Sequence, residues 1–336
     1  MRFGLLIFAF AALAVPAAQA DDWQLQNINV PARVSAIDTV GGQVRVMAGG
    51  LWYALKRDKG KFSLDFIDTP GQDKLPEGAL PNGQVATGKH DVARAWFAEP
   101  TDRYDHDILG SKVTAGALVI ELRDGRRQVV RLKPDAVFED LKPRIADLSG
   151  NGDDDIIVVK SYLKRGSALA VIAERKGRYD VVAETPPLGA PHRWLDPVAV
   201  ADFTGDGKPD IALVRQPHAV GALELWSWRD DRLQKTAELP NVANHIAGTR
   251  AIDMAAVADF DADHVADIAI PSLDRTHLRI LSFSPQPREL GNVALPAKAA
   301  TNLGVFTNLG VFKDDMAPAV ALGLEDGSLV VVQHSR

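Results

Sequence analysis

The residues with the clearest chemistry are aspartates at a fixed spacing. Three segments read almost alike: Ile145–Val159 (IADLSGNGDDDIIVV), Val200–Val214 (VADFTGDGKPDIALV) and Val257–Pro271 (VADFDADHVADIAIP). In each, oxygen-bearing side chains fall at loop positions one, three, five and nine. They are Asp147, Ser149, Asn151 and Asp155; Asp202, Thr204, Asp206 and Asp210; and Asp259, Asp261, Asp263 and Asp267. Position seven, occupied by Asp153, Lys208 or Val265, offers a backbone carbonyl. Hard oxygen donors at alternate positions of a tight loop suit calcium, which takes about six to eight oxygens in flexible geometry, whereas magnesium would keep more water. Two carboxylates ~4 Å apart repel by ~4 kcal/mol at an effective dielectric of about 20, a cost hard to account for in every repeat without a counter-ion. Two to three calcium ions are therefore expected. An EF-hand begins with the same spacing but needs a glutamate at position twelve and flanking helices. Position twelve here is Val158, Leu213 or Ile270, each inside an apolar run. Loop two, with Gly207 at the turning position, reads as the best ligand set. Loop three has His264 there, and loop one carries fewer charges.

A second group of residues is basic. If each aspartate loop joins the first two strands of its unit on one face, the loops on the opposite face contain His90, Arg144, Lys160, Lys164, Arg165, His192, Arg193, His218, His245, Arg250 and Arg275. Two of them share a longer pattern, RWLDPVAVADF from Arg193 and RAIDMAAVADF from Arg250. This face is expected to take an anionic ligand, an acidic glycan or a small carboxylated molecule, and a surface protein is the other partner class. Arg193 and Arg250 would act as charged forks, His192, His218 and His245 as hydrogen-bond donors, and Trp194 as a stacking surface. The alternative is that each Arg–x–x–Asp pair is a structural salt bridge. No GxSxG, HExxH, Walker loop or strand-borne GxGxxG is present, and with no cysteine there is neither thiol catalysis nor a disulfide. The reading leans to a binding module. A polysaccharide-acting enzyme on the same scaffold is the alternative, with Lys160, Tyr162 and His218 as candidate bases.

These loops need elements to hold them. The first aspartates lie 55 and 57 residues apart, a period that signals a solenoid, propeller or array. Between them lie short β-branched or aromatic runs bounded by Gly, Asp or Pro, such as Asp210–Val214, Ala222–Trp228 and Leu233–Leu239. That gives four strands per repeat. A weaker copy covers Arg33–Ile67. Another is expected from Ala93–Ala98, Asp107–Leu109, Ala117–Leu122 and Gln128–Leu132, with Thr69–Gly88 as a loop between blades. In that copy Arg103 would stand in for the cation by pairing with Asp105 or Asp107. A last unit begins near Leu309, continues through Ala319–Gly323 and Leu329–Gln333, and lacks an outer strand. Trp23–Val30 would supply it and close the ring. The expected fold is an all-β, closed propeller of six four-stranded blades, with seven as the alternative. The tandem TNLGVF repeat over Thr301–Phe312 leaves the register there open.

The strings DLSGNGDDD, DFTGDGKPD and DFDADHVAD, each followed by an Ile-rich strand, resemble the FG-GAP or VCBS-type repeats of integrin-like β-propellers. The resemblance covers about 15 residues in each of three repeats and extends by period over most of the chain. It implies a propeller, commonly of seven blades, with calcium at the matched aspartates and a secreted or cell-surface setting. It implies no single activity. Val311 and Ala319 replace the first and ninth ligands in the final unit, so no metal is expected there.

Composition sets the outer bounds. A chain of 336 residues, 46% hydrophobic and 24% charged, can build a large core and is not disordered. A net charge of −6 argues against a nucleic-acid partner held by bulk charge. Arg2, the apolar run Phe3–Val15 and Ala18-Gln19-Ala20 form a cleavable export signal, with the mature single domain spanning 21–336 and a periplasmic or secreted location. No other stretch is apolar for the ~20 residues that a membrane span needs.

Overall fold

A computed structural model describes residues 22–71, 74–306 and 317–335, and its described residues contain strands, turns and no α-helix. The first strand, β1 (Trp23–Ile28), leaves the first sheet entirely. That sheet is the meander β2 (Val34–Val40), β3 (Gln43–Ala48), β4 (Leu51–Asp58) and β5 (Lys61–Ile67). The next is built on β6 (Val92–Thr101), β7 (Thr114–Leu122) and β8 (Arg127–Arg131). A short bridge strand, β9 (Ala136–Phe138), pairs with both β7 and the third unit. That unit is β10 (Arg144–Ala146), β11 (Asp155–Tyr162), β12 (Gly166–Arg175) and β13 (Arg178–Glu184). Two further four-stranded meanders follow. One is β14 (Leu195–Ala201), β15 (Asp210–Arg215), β16 (Ala222–Arg229) and β17 (Arg232–Leu239). The other is β18 (Ala256–Ala258), β19 (Asp267–Pro271), β20 (His277–Ser282) and β21 (Arg288–Ala294). The last sheet is β22 (Ala299–Phe306), β23 (Ala319–Leu324), β24 (Leu329–His334) and, as its outer strand, β1.

This is an all-β propeller of six blades. β1 pairs antiparallel to β24 from Trp23↔His334 to Ile28↔Leu329, as the unpartnered alternation at the N-terminus predicts. Inner strands such as β11 (DIIVVKSY) are apolar on both faces because each blade is covered by neighbours on both sides. Outer strands such as β17 (RLQKTAEL) alternate and carry charge outward. Four apolar clusters tie second to third to fourth blade, fourth to fifth, fifth to sixth, and sixth to first.

Two expectations need correction. Asp107–Leu109 is a turn within a long β6–β7 loop, not a strand. The innermost position of the second blade is taken instead by the segment expected to be a free loop, which bridges to β6 at Ala79↔Ala98 and Ala86↔Ala95. In the last blade the first TNLGVF copy lies in β22, so the inner strand starts at Ala299, ten residues before Leu309. Leu309 and Val311 lie outside the described residues, as do residues 1–21.

Candidate metal loops and channel mouth

The three aspartate loops share one backbone. Positions four and six have positive φ in each: Gly150 and Gly152, Gly205 and Gly207, and, without glycine, Ala262 (65°) and His264 (69°). The first aspartate organises the turn by accepting amide hydrogens from both sides of it. Asp147 accepts from Gly150 (2.7 Å) and Gly152 (2.8 Å), Asp202 from Gly205 (2.7 Å) and Gly207 (2.8 Å), and Asp259 from Asp263 and His264 (both 3.1 Å). The ninth residue opens the next strand and points back. Asp155 Oδ2 accepts from Leu148 and Asp267 Oδ2 from Phe260, both at 2.9 Å.

The loops differ in what remains unspent. In loop two Thr204 and Ser227 donate to Asp210, and Arg229 reaches Asp206 at 3.4 Å, so the carboxylates are already engaged. In loop three Asp259, Asp261 and Asp267 each bring a carboxylate oxygen within 4.8 Å of the others, the one such group of metal-ligating acids among the described residues. Asp267 is fully buried, and its Oδ1 has no hydrogen-bond partner. Burial, with the Asp261 and Asp263 charges adding, pushes its carboxyl up to about 7 despite the Ser282 hydroxyl and the Phe260 amide. Asp155 is raised to about 6, chiefly by burial. An oxygen-only set with an orphaned buried carboxylate oxygen fits a hard cation. Among the described residues the carboxylates converge in loop three rather than in loop two, although an arginine reaches an acid in both loops. Arg288 pairs with Asp261 and lies 3.8 Å from Asp263, so an ion here would compete with this arginine for Asp261.

On the opposite side, the six ligand residues expected from sequence divide. Trp194 is buried, donates from Nε1 to the Glu139 carbonyl (3.1 Å), is edged by His245 at 4.9 Å and lies parallel to His218 at 6.2 Å, so its ring is taken up within the protein rather than offered to a ligand. His245 is also buried. Its Nε2 meets the Thr249 carbonyl at 3.1 Å, so that nitrogen carries the proton. Nδ1 therefore accepts from His218 Nε2 at 3.0 Å. Burial, followed by the neighbouring His218, lowers His245 to about 4. His192 (φ 62°) stacks on His106 with centroids 4.9 Å apart. Arg193 donates to the Leu188 carbonyl, and Arg250 is exposed beside a narrow cleft that also holds His106, Ser111 and Glu139. Three further expectations shift. Arg144 is largely covered and paired with Asp140, with Asp196 at 3.8 Å, so its charge is already engaged. Burial holds Asp196 well above the usual carboxylate range despite Arg144. Lys160 and Tyr162 both bond to Glu184. Arg103 donates to the Ala136 carbonyl, and Lys112 pairs with Asp105 in its place.

One constellation was missed. Glu139, buried, accepts from Ser161 and holds His106 Nδ1 at 2.6 Å. The residues come from three segments with no shared motif, and only tertiary structure brings them together.

Residues 147–213 and 202–270 match the family of the FG-GAP-like repeat. The likeness to FG-GAP-like repeats is confined to residues 147–270. No curated protein matches it in sequence. Among solved structures it is similar to rhamnogalacturonan lyase YesW (13% identity, TM-score 0.44, 90% of this chain against 66% of that one). It is also similar to the Photorhabdus luminescens Tc holotoxin pore (15% identity, TM-score 0.39, 94% against 14%). The chain thus spans under two thirds of the lyase and a small part of the toxin. Outside the matched span, Gly88-Lys89-His90-Asp91 parallels Gly207-Lys208-Pro209-Asp210 in sequence. Its turn is filled by Asp154 of the next blade, which accepts from Lys89 (3.3 Å), His90 (2.8 Å) and Val92 (3.2 Å), while Asp91 accepts from Asp154 N and Tyr179. His90 therefore belongs to the aspartate-loop side, not to the basic face.

Proposed function

We propose that this chain is a calcium-binding propeller, exported from the cytoplasm, that works as a binding module for an anionic ligand. The observation that carries the metal part is the Asp259–Asp261–Asp267 group with its orphaned buried oxygen. Asp259, Asp261 and Asp267 would hold the ion in loop three, with Asp263 and the Val265 carbonyl completing the expected set. Asp202, Thr204, Asp206, Lys208 and Asp210, and Asp147, Ser149, Asn151, Asp153 and Asp155, are the corresponding sets in the other loops. Calcium would neutralise clustered carboxylates and fix the turn between the first two strands of each blade. Export rests on the N-terminal pattern, and among the described residues no helix is long and apolar enough to cross a membrane. N-terminal sequencing of the exported protein should read from Asp21.

The deciding experiment is thermal unfolding after chelation, titrated with calcium and then magnesium, alongside metal analysis. A site present only in the folded state adds about 2.7 kcal/mol at 100 times its Kd. A calcium-selective rise with two to three bound ions is expected, and Asp267→Asn should remove one ion and part of the rise. No rise and no bound ion would reduce the loops to turn chemistry.

A second reading, a polysaccharide-acting enzyme, is favoured by one observation: a buried carboxylate, Glu139, orients His106 in the cleft that Arg250 lines. Turnover of acidic polysaccharide, lost in His106→Ala with the fold intact, would establish it. Saturable binding without turnover would dismiss it.

A further inference from the structure

We propose that the seam between the second and third blades is a groove for an acidic oligosaccharide. The inference rests on the binding-module reading and moves its site from the loops of Arg193 and Arg250 to this seam.

Two adjoining hollows, of about 310 Å³ and about 390 Å³, share Asp135, Tyr162 and Arg165. Arg131 and Lys133 enter from the end of the second blade, and Lys160, Lys164 and Arg165 from the β11–β12 hairpin. Arg131 is matched by Glu99 at 2.7 Å, and Lys160 by Glu184. Lys133, Lys164 and Arg165 are different. Among the described residues none has an ion-pair partner or a side-chain hydrogen bond, and all three are exposed. The Arg165 guanidinium lies 3.8 Å over the Tyr162 ring, which orders its plane while leaving its N–H groups unspent. Asp135 and Asp180 are the acids in the lining.

The distribution of these groups selects the ligand class. The unspent cations are strung along two hollows rather than converging, which suits a chain with repeated charges better than one small anion. Leu132, Leu163 and Val181 provide apolar wall against which the C–H faces of sugar rings can lie while carboxylates or sulfates meet the cations. Single-stranded nucleic acid needs a bare aromatic platform for its bases. Tyr162 already carries Arg165 and, at 4.7 Å, Lys160 over its ring.

The test is calorimetric titration of the calcium-treated full mature chain with a galacturonic acid oligomer, a heparin-derived oligomer of equal length and a neutral glucan oligomer. At least one acidic oligomer is expected to bind saturably and the neutral one not at all; which acidic arm responds separates carboxylate from sulfate chemistry. Lys133→Ala with Arg165→Ala should weaken binding at least tenfold, Lys164→Glu should do so independently, and Arg193→Ala with Arg250→Ala should leave it within twofold. Full affinity in both groove variants, with unfolding midpoints unchanged, would overturn the groove. If the Arg193 and Arg250 changes abolish that binding instead, the binding-module reading stands and the groove fails. If no acidic oligomer binds, the groove and the anionic-ligand reading fail together, while the calcium titration is judged on its own result.

Discussion

His245 shows how burial sets the acid response at the scale of one residue. Its imidazole is held neutral, with a folded value of about 4 against an ordinary 6.5. Above pH 6.5 it is neutral in both states and contributes no pH dependence. Between pH 6.5 and about 4 the unfolded chain takes a proton that the folded chain refuses, so stability falls as pH falls, by about 3 kcal/mol in total at 1.36 kcal/mol per unit. His245→Gln should flatten this part of the curve, measured by urea unfolding at pH 7 and pH 4.5. An unchanged slope would show that His245 titrates normally. The shared turn of the aspartate loops was legible in the sequence because the first aspartate and the amides it accepts from lie within six residues. The burial of Trp194 and His245 was not, since a bulky polar-tipped side chain reads alike at a mouth or beneath it. The approach of His106 to Glu139 had no local signal either.

Strands were legible where their alternation is bounded by turns. The Asp and Gly punctuation placed β15–β17 within one residue at either end. The second blade was misread because its inner segment makes isolated bridges rather than a ladder and carries Pro and Gly. That segment has a strict steric requirement at Gly88, where a Cβ would lie 2.4 Å from Asp154 Oδ2 and 2.5 Å from the Val92 carbonyl. Gly88→Ala should therefore expel the buried Asp154 carboxylate from its three amides and cost about 1–3 kcal/mol, in the range for forced overpacking. Chemical denaturation would read this directly, and a cost under about 0.5 kcal/mol, the scale of ordinary surface changes, would mean the turn adapts.

At the scale of the whole molecule, blade number and the use of β1 as the outer strand of the last sheet were legible from a missing strand at one end and a spare one at the other. Trp23 anchors that arrangement. It donates to the Leu290 carbonyl (3.1 Å) and sits edge-on to Phe260 (6.0 Å) and His334 (5.1 Å), above Gly291, where any side chain would strike the indole. Deleting residues 22–28 should remove a buried indole worth about 3–5 kcal/mol and bare the edge of β24. Size-exclusion chromatography should then show self-association, and a stable monomer would contradict it. Asp22 and Ser335, 313 positions apart, are joined by hydrogen bonds from the Ser335 amide and hydroxyl to the Asp22 carbonyl. On the ribosome the first strand of this fold to be made is thus left without its neighbour until the last one emerges. A chain lacking Leu329–His334 would leave β1 without that partner, so the pairing ties the earliest strand of the fold to the one made last within it.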